Sequence, residues 1–150
     1  MKIKKSFFSL LKENDGWTFI ETLIVIAIIL ILTATVGFVA AGNLNKARKA
    51  SAQSQIDSFC IALEAYYIDC GIYPTEEQGL EALHNKPETE PVSENWNGPY
   101  LYKNPPKDPW GNEYEYKNTG TEGNKYGIRS FGADGQEGGE GDDADISSWE

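Results

Sequence analysis

Acidic residues lie in two places where a carboxylate can carry out specific chemistry. Glu21 is the only charged residue in the apolar run 17–41, "WTFIETLIVIAIILILTATVGFVAA". A carboxylate in such surroundings is costly unless a cation neutralises it, so an acid within an apolar span is by default functional. Near the other end of the sequence, residues 134–145 carry six carboxylates among glycines. Oxygen atoms are the ligands that calcium prefers, and this segment is therefore a candidate metal site.

The nearest cation for Glu21 is an α-amino group that only a cleavage would create. A cut between Gly16 and Trp17 would place that amine close to the start of the apolar run. When many such helices pack together, the amine of one subunit can lie beside Glu21 of its neighbour, so each charge finds its opposite in the assembly. Such a pair specifies register more than it adds net stability, because desolvation offsets much of the attraction.

The acidic segment has two interpretations on composition alone. Calcium takes about six to eight oxygens, and glycines let the backbone turn its carbonyls inward as well. The spacing does not match an EF-hand loop. A solvated acidic segment therefore remains as good an interpretation as a metal site. The carboxylates belong to Asp134, Glu137, Glu140, Asp142, Asp143 and Asp145.

The apolar run is long enough to cross a membrane as a helix. Its 25 residues would extend about 37 Å at about 1.5 Å per residue, more than the roughly 30 Å of the hydrocarbon layer. A secretory signal peptide has a shorter apolar stretch. We therefore predict a transmembrane helix over 17–41, preceded by a polar, lysine-bearing segment, 1–16, on the cytoplasmic side.

The helical pattern continues past the apolar run without a break. An apolar stripe at spacings of three and four residues predicts an amphipathic continuation, and we expect a single helix over about 18–69. Gly71 and Pro74 would end it. The predicted stripe consists of Ile56, Phe59, Leu63 and Tyr67.

The remainder of the sequence predicts a small sheet packed on this helix. Thr75 and Gln78 form a capping box that starts a short helix. Three segments rich in tyrosine and other strand formers follow, separated by turn sequences: 98–103, 112–117 and 125–132. Ile146 and Trp149 suggest that the end of the acidic segment packs back on the domain. The predicted fold class is α+β: a long helix against a three-stranded antiparallel sheet, with 42–150 as one globular domain.

Several classes of function are disfavoured. The formal net charge of −10 argues against a nucleic-acid binder, which needs a basic face. His84 is the only histidine and has no evident catalytic companion, so nothing indicates an enzyme. Cys60 and Cys70 would lie about 15 Å apart on a helix, whereas a disulfide needs Cα atoms within about 7 Å. We therefore expect two free, partly buried thiols; the alternatives are an intrachain bridge over a broken helix end and a link between subunits.

The start of the chain resembles the type IV pilin-like family. The match is carried by "GWTFIE" followed by an unbroken apolar run. The resemblance implies that prepilin peptidase cuts after Gly16 and N-methylates Trp17, which makes Glu21 the fifth residue of the mature chain. Trp17 is a departure, because the family usually has Phe or Met there.

The second half resembles the major pseudopilin of type II secretion systems. The matching segments are "YPTEEQGLEAL", "DPWGNEYEY" and "SFGADGQEGGEGDDADISSW". The resemblance implies one bound Ca²⁺ in the C-terminal loop. By that analogy the side-chain ligands are Asp134, Asp142 and Asp145, with Asp143 as the alternative to its neighbour, and the backbone carbonyl of Phe131 contributes as well.

The resemblance also implies a function. The chain would be held in the bacterial inner membrane and then polymerise with itself into a periplasmic pseudopilus, stabilised by calcium. Its partners would be minor pseudopilins, the inner-membrane assembly platform and prepilin peptidase. The peptidase would remove the leader 1–16. Two alternatives stay open: a subunit of a type IV pilus, and a membrane-anchored calcium-binding protein that does not polymerise.

Overall fold

A computed structural model describes residues 18–119 and 123–149. The chain divides into two compact units, Met1–Ala41 and Gly42–Glu150, of which the second is called the C-terminal unit below. The predicted leader, Gly16 and Trp17 lie outside the described residues.

The elements follow one another in the order helix, short helix, two strands, short helix, strand. The long helix α1 spans Phe19–Cys70, which confirms the predicted single helix. Two 3₁₀ helices span Leu80–Leu83 and Gly141–Asp143. The strands are β1 (Glu115–Lys117), β2 (Gly127–Ser130) and β3 (Ile146–Ser147).

Local side-chain chemistry explains where α1 begins and ends. Thr18 Oγ1 accepts a hydrogen bond from the Glu21 amide (3.3 Å), and Glu21 Oε2 accepts one from the Thr18 amide (3.4 Å). This reciprocal pair is a capping box at the start of the helix. At the other end Gly71 adopts a φ of 74°, a left-handed conformation that glycine reaches without steric cost. Among the described residues, no helix has both the length and the apolarity that crossing a bilayer requires.

The sheet has the order β1–β2–β3, and both strand pairs are antiparallel. Tyr116 of β1 lies opposite Ile128 of β2, and Ser130 of β2 lies opposite Ile146 of β3. The predicted strand at 98–103 is wrong. There the amides of Tyr100 and Leu101 both donate to the Leu83 carbonyl, at 2.7 and 3.0 Å, rather than to a strand partner.

Proline accounts for that error, and the end of the chain supplies the third strand. Pro99 has no amide hydrogen for a ladder, and a proline within a run of strand formers argues against a strand. Instead Ile146–Ser147 pairs with β2. Trp149 packs so closely on Gly127 that an added Cβ there would lie 2.9 Å from the indole. The packing of Ile146 and Trp149 on the domain is therefore as predicted.

The core lies between α1 and the sheet. Ile56, Phe59 and Leu63 are at most 2% exposed, as the stripe predicted. Tyr67 was the wrong continuation, because it is 38% exposed while Tyr66 is fully buried. The buried stripe continues from Leu63 to Tyr66, three residues later, so Tyr67 lies at the rim of the core.

The capping box is confirmed: the Thr75 amide donates to Gln78 Oε1 (3.0 Å) and the Gln78 amide donates to Thr75 Oγ1 (3.1 Å).

Both cysteines are free and partly buried, as expected. Burial, together with the nearby carboxylates of Asp57 and Glu64, raises the pKa of the Cys60 thiol, against a hydrogen bond from Tyr126 that lowers it.

We expect Ile56→Ala to lower the free energy of unfolding of the C-terminal unit by about 2–5 kcal/mol, because the side chain is fully buried and its loss leaves a cavity. Ile61→Ala is the matched control, since Ile61 lies on the same helix and is 73% exposed; its effect should stay within about 0.5 kcal/mol. Urea denaturation followed by circular dichroism measures both. Equal losses in the two variants would contradict the assigned core.

Candidate metal centre

The acidic loop, defined here as residues 131–145, leaves the sheet at the end of β2 and returns to it at the start of β3. The pairing of Ser130 with Ile146 holds its two ends side by side. Within the loop the Ala133 amide donates to the Asp142 carbonyl at 3.2 Å. The loop is thus closed at its base by backbone contacts that need no side chain.

Two glycines let the loop backbone pack on itself. Gly132 and Gly139 have φ values of 64° and 87°. A Cβ on Gly132 would lie 2.9 Å from the Asp143 carbonyl oxygen, and one on Gly139 would lie 2.5 Å from the same oxygen. Only glycine fits at either position, because both the conformation and the space exclude a side chain. The carbonyl of Asp143 therefore lies in a cradle formed by two glycines.

The predicted ligands are located as follows. Asp134 Oδ1 accepts the Gln136 amide at 3.0 Å. Asp142 Oδ2 accepts a hydrogen bond from Asn45 Nδ2 of α1. Asp143 ends the second 3₁₀ helix with an exposed side chain. Phe131 directly follows β2, and its ring lies under the guanidinium of Arg129.

Asp145 is the most enclosed of the predicted carboxylate ligands, with 17% of its side chain exposed. Its Oδ2 accepts the Gly138 amide at 3.1 Å and lies 3.4 Å from Arg129 Nη1. Its Oδ1 is buried and has no hydrogen-bond partner within residues 18–119 and 123–149. A buried carboxylate oxygen without a partner carries a desolvation cost that a cation would remove.

The predicted ligands are not drawn together in one cluster. In the part of the chain that the structure describes, no group of three Asp, Glu, His or Cys side chains is placed to hold a metal ion. The predicted donors are of the kind that calcium prefers, since they are hard oxygens, and Oδ1 of Asp145 has no hydrogen-bond partner among the described residues. A calcium ion there would draw on backbone carbonyls as well as carboxylates.

Arg129 is a basic residue at this site that the sequence interpretation missed. Its side chain is 13% exposed. Nε and Nη2 donate to Glu115 Oε2 at 3.0 and 2.8 Å, and Nη1 donates to Glu137 Oε1 at 2.8 Å. One sequence signal pointed to it: Arg129 is the only basic residue after Lys125.

The ion pairs around Arg129 shift the protonation equilibria of both partners. Burial alone would raise the pKa of the Glu115 carboxyl, but hydrogen bonds from Arg129 and Lys117 outweigh it and the pKa lies below its usual value. Burial alone would lower the pKa of the Arg129 guanidinium, but hydrogen bonds to Glu137 and Glu115 raise it. Both pKa shifts favour the charged forms of Glu115 and Arg129, so this ion pair is retained at neutral pH.

Helix α1 also contacts the acidic loop within the C-terminal unit. Lys49 Nζ donates to the Gly141 carbonyl, next to the contact between Asn45 and Asp142. These two donors hold the second 3₁₀ helix against α1. The sequence interpretation missed them too, because nothing in the spacing of a helix reveals which distant loop lies on it.

Glu21 is exposed on α1, and its carboxylate caps the helix start as described above. The predicted pairing with an α-amino group involves Trp17, which lies outside the described residues. Capping is therefore a second role for Glu21. A test of the predicted charge pairing must distinguish it from this capping role.

The chain is similar to proteins of known families. The family model described as "Type II secretion system (T2SS), protein G" matches residues 40–149. Over 139 residues the chain is 40% identical to type II secretion system core protein G of Pseudomonas aeruginosa, covering 93% of this chain and 97% of that protein. It is 42% identical to the Vibrio cholerae protein of the same name, covering 93% and 94% of the two chains.

A solved structure agrees with these sequence relatives. The crystal structure of the major pseudopilin from the type 2 secretion system of enterohaemorrhagic Escherichia coli matches with a TM-score of 0.61 at 35% sequence identity. The match covers 73% of this chain and 92% of that one. The α+β prediction, a long helix against a three-stranded antiparallel sheet, is confirmed.

We expect Gly139→Ala to destabilise the C-terminal unit more than Gly138→Ala does. Both positions have left-handed φ values, 87° at Gly139 and 98° at Gly138. A Cβ at Gly139 would meet the Asp143 carbonyl, whereas one at Gly138 would have no described atom within 4 Å. Both variants carry a backbone cost of about 1–2 kcal/mol, and overpacking adds about 1–3 kcal/mol at Gly139. Urea denaturation measures the difference, and equal losses would contradict the cradle.

Proposed function

The chain belongs to the protein G family of type II secretion systems, and we propose that it acts there as a calcium-stabilised building block that is cut, released from the membrane and stacked. Relatives about 40% identical over nearly the whole chain support the role in secretion. The chain is a structural subunit of the pseudopilus, the major pseudopilin, and it is associated with the membrane and the periplasm. The type IV pilus subunit considered from the sequence is set aside, because the relatives are named for secretion.

Processing and assembly begin at the N-terminus. Prepilin peptidase cuts after Gly16 and N-methylates Trp17, and the new amine pairs with Glu21 of a neighbouring subunit. Before assembly the run 17–41 crosses the inner membrane once, with the leader in the cytoplasm. Support comes from the single charge in an apolar run and from the exposure of Glu21 on α1.

Apolar helices then leave the bilayer and pack as a bundle while the C-terminal units coat it. The assembly platform in the inner membrane and the minor pseudopilins are the proposed partners in this step. A subunit of this kind works by burying surface against copies of itself, so it requires no reactive group. A carboxylate that is neutralised only by a neighbour makes the bundle specific for one register.

Calcium has a structural role in this proposal. The ion would bind in the acidic loop, through Asp145 and carbonyls including that of Phe131, with Asp134 and either Asp142 or Asp143 completing the set. When bound, it supplies positive charge to a loop whose side chains repel one another. Asp145 provides the main support, since one of its oxygens is buried and has no hydrogen-bond partner in the part of the chain that the structure describes.

We expect the C-terminal unit, 42–150, to melt at a higher temperature with Ca²⁺ than with a chelator. A ligand that binds only the folded state stabilises it by about 2.7 kcal/mol at a hundred times its Kd. The same concentration of Mg²⁺ is the control, because Mg²⁺ prefers a smaller, octahedral, hydrated site. Differential scanning calorimetry measures the melting temperatures. Identical values in Ca²⁺ and chelator would refute the calcium site.

We expect Glu21→Leu and Glu21→Gln both to abolish fibre assembly while membrane insertion persists. Glutamine retains the capping hydrogen bond to the Thr18 amide but not the charge, so failure of both variants isolates the charge. Thr18→Ala is the control, since it weakens the cap, leaves the charge and should still assemble. Assembly is scored by fibre isolation, and insertion by membrane fractionation.

Mass spectrometry of the native N-terminus completes this test. The expected chain starts at methylated Trp17. A working subunit that retains Met1 would overturn the assembly proposal and favour an anchor that does not polymerise. Normal assembly of Glu21→Gln would show that the capping contact, not the charge, is the requirement.

A further inference from the structure

We propose that Cys70 is an oxidation site at the end of α1, where a peroxide converts the thiol to a sulfenic acid and the hydroxyl of Tyr66 holds the added oxygen. The inference depends neither on calcium nor on assembly. It assigns a function to two groups, a thiol and a buried hydroxyl, that the packing of the core alone does not require.

The hydroxyl of Tyr66 is a buried donor that lacks an acceptor. Tyr66 is fully buried, and in the ranges 18–119 and 123–149 its oxygen finds no hydrogen-bond partner. Burying a hydroxyl without a hydrogen bond is unfavourable. A phenylalanine would fill the same space without that cost, and an acceptor placed beside the hydroxyl would be bound.

The Cys70 thiol lies beside that hydroxyl. Cys70 follows Tyr66 by four residues on α1, so their side chains share one face of the helix. The sulfur lies 4.0 Å from the hydroxyl oxygen of Tyr100, whose ring meets the Tyr66 ring edge to face with centroids 5.4 Å apart. Burial, and after it the neighbouring Cys70 thiol, raise the pKa of Tyr66 to about 12. The Tyr66 hydroxyl is therefore protonated at neutral pH and can donate to an oxygen on the sulfur.

The other polar groups around the sulfur cannot supply this donor. The single proton of the Tyr100 hydroxyl is already donated to Asp69 Oδ2 at 3.0 Å, and the same hydroxyl accepts the Asn97 amide at 3.0 Å. The carboxylate of Asp69 is an acceptor only. An oxygen added to the sulfur is therefore bound on the side of Tyr66.

The step consumes one equivalent of a peroxide. The sulfur, as its thiolate, attacks one peroxide oxygen, so that an S–O bond forms while the O–O bond breaks. The sulfur is oxidised by two electrons and the peroxide is reduced. With hydrogen peroxide the leaving hydroxide takes up the thiol proton and becomes water, and Cys70 becomes a sulfenic acid, which thiols can reduce again.

The helix prevents the usual fate of a sulfenic acid, which is condensation with a nearby thiol. The only other cysteine of the chain is Cys60, and ten residues of α1 place its thiol about 15 Å away. Burial raises the pKa of Cys60, which disfavours its own oxidation. Cys70, in contrast, is the last residue of α1 and is followed by the exposed Gly71. Oxidation should therefore be selective for Cys70, and its product should persist.

Trapping of the sulfenic acid on the full-length chain in detergent tests this inference. The chain is exposed briefly to hydrogen peroxide, which catalase then removes, and is treated with a cyclic dione that alkylates sulfenic acids. Tandem mass spectrometry locates the label, which we expect at Cys70 and not at Cys60. Tyr66→Phe keeps the ring and removes the donor, so the label at Cys70 should fall about threefold or more, the scale of one lost hydrogen bond.

Tyr114→Phe is the matched control, because it removes a hydroxyl that already has a partner, Gln55 Oε1 at 2.9 Å. It should leave the label at Cys70 unchanged. A second measurement separates the donor from the packing. Because the Tyr66 hydroxyl lacks an acceptor within the described residues of the reduced chain, Tyr66→Phe should melt no lower than the unmodified chain, as followed by circular dichroism.

Each outcome decides the inference. Support requires label at Cys70 that falls in Tyr66→Phe alone, without a lower melting temperature; any other pattern of label or melting overturns it. Near-ultraviolet circular dichroism reports whether Tyr66→Phe folds. If it does not, the lifetime of the sulfenic acid in Cys60→Ser decides, measured by adding the dione after increasing delays. Slower loss of label in the folded chain than in urea supports the inference, and equal or faster loss overturns it.

Discussion

The pairing of β2 with β3 brings together the two ends of the acidic loop, whose carboxylate side chains repel one another. Several contacts in the C-terminal unit hold the loop closed against that repulsion. Ser130 opposite Ile146 fixes the base, two glycines let the backbone fold on itself, and Arg129 supplies a positive charge beside the base. Asn45 and Lys49 of α1 hold the far side. Like charges are tolerated because backbone contacts and a few cations fix their positions.

Periodic and local patterns were sufficient to predict much of this molecule. The bounds of α1 and the capping box of Thr75 and Gln78 follow from spacing and cap chemistry, which act within a few residues of the chain. Hydrophobicity was sufficient to indicate that Trp149 packs on the domain, but not which residue it contacts. The strand over 98–103 failed because tyrosine content indicated a strand where Pro99 could not donate a hydrogen bond. Tyr67 was predicted to be buried in place of Tyr66 because an apolar stripe on a helix advances by either three or four residues, and both steps fit the pattern.

The candidate site was less predictable, because its contacts join distant parts of the sequence. The acidic composition indicated where cations would be attracted, but not that Arg129 and Lys49 approach the same loop from a strand and from a helix. Those contacts depend on strand register and on which helix face meets the sheet. A carboxylate's environment can also be asymmetric, as at Asp145, and composition does not reveal which oxygen is occupied.

The two free thiols have a consequence for the order of events in an oxidising compartment such as the periplasm. Ten residues of α1 separate Cys60 from Cys70, which places them roughly 15 Å apart, too far to be joined while the helix persists. Burial also raises the pKa of the Cys60 thiol, which disfavours the reactive thiolate. The formation of α1 therefore excludes an intrachain disulfide between these two cysteines, whereas an unfolded chain could form one, and that bond would be incompatible with α1.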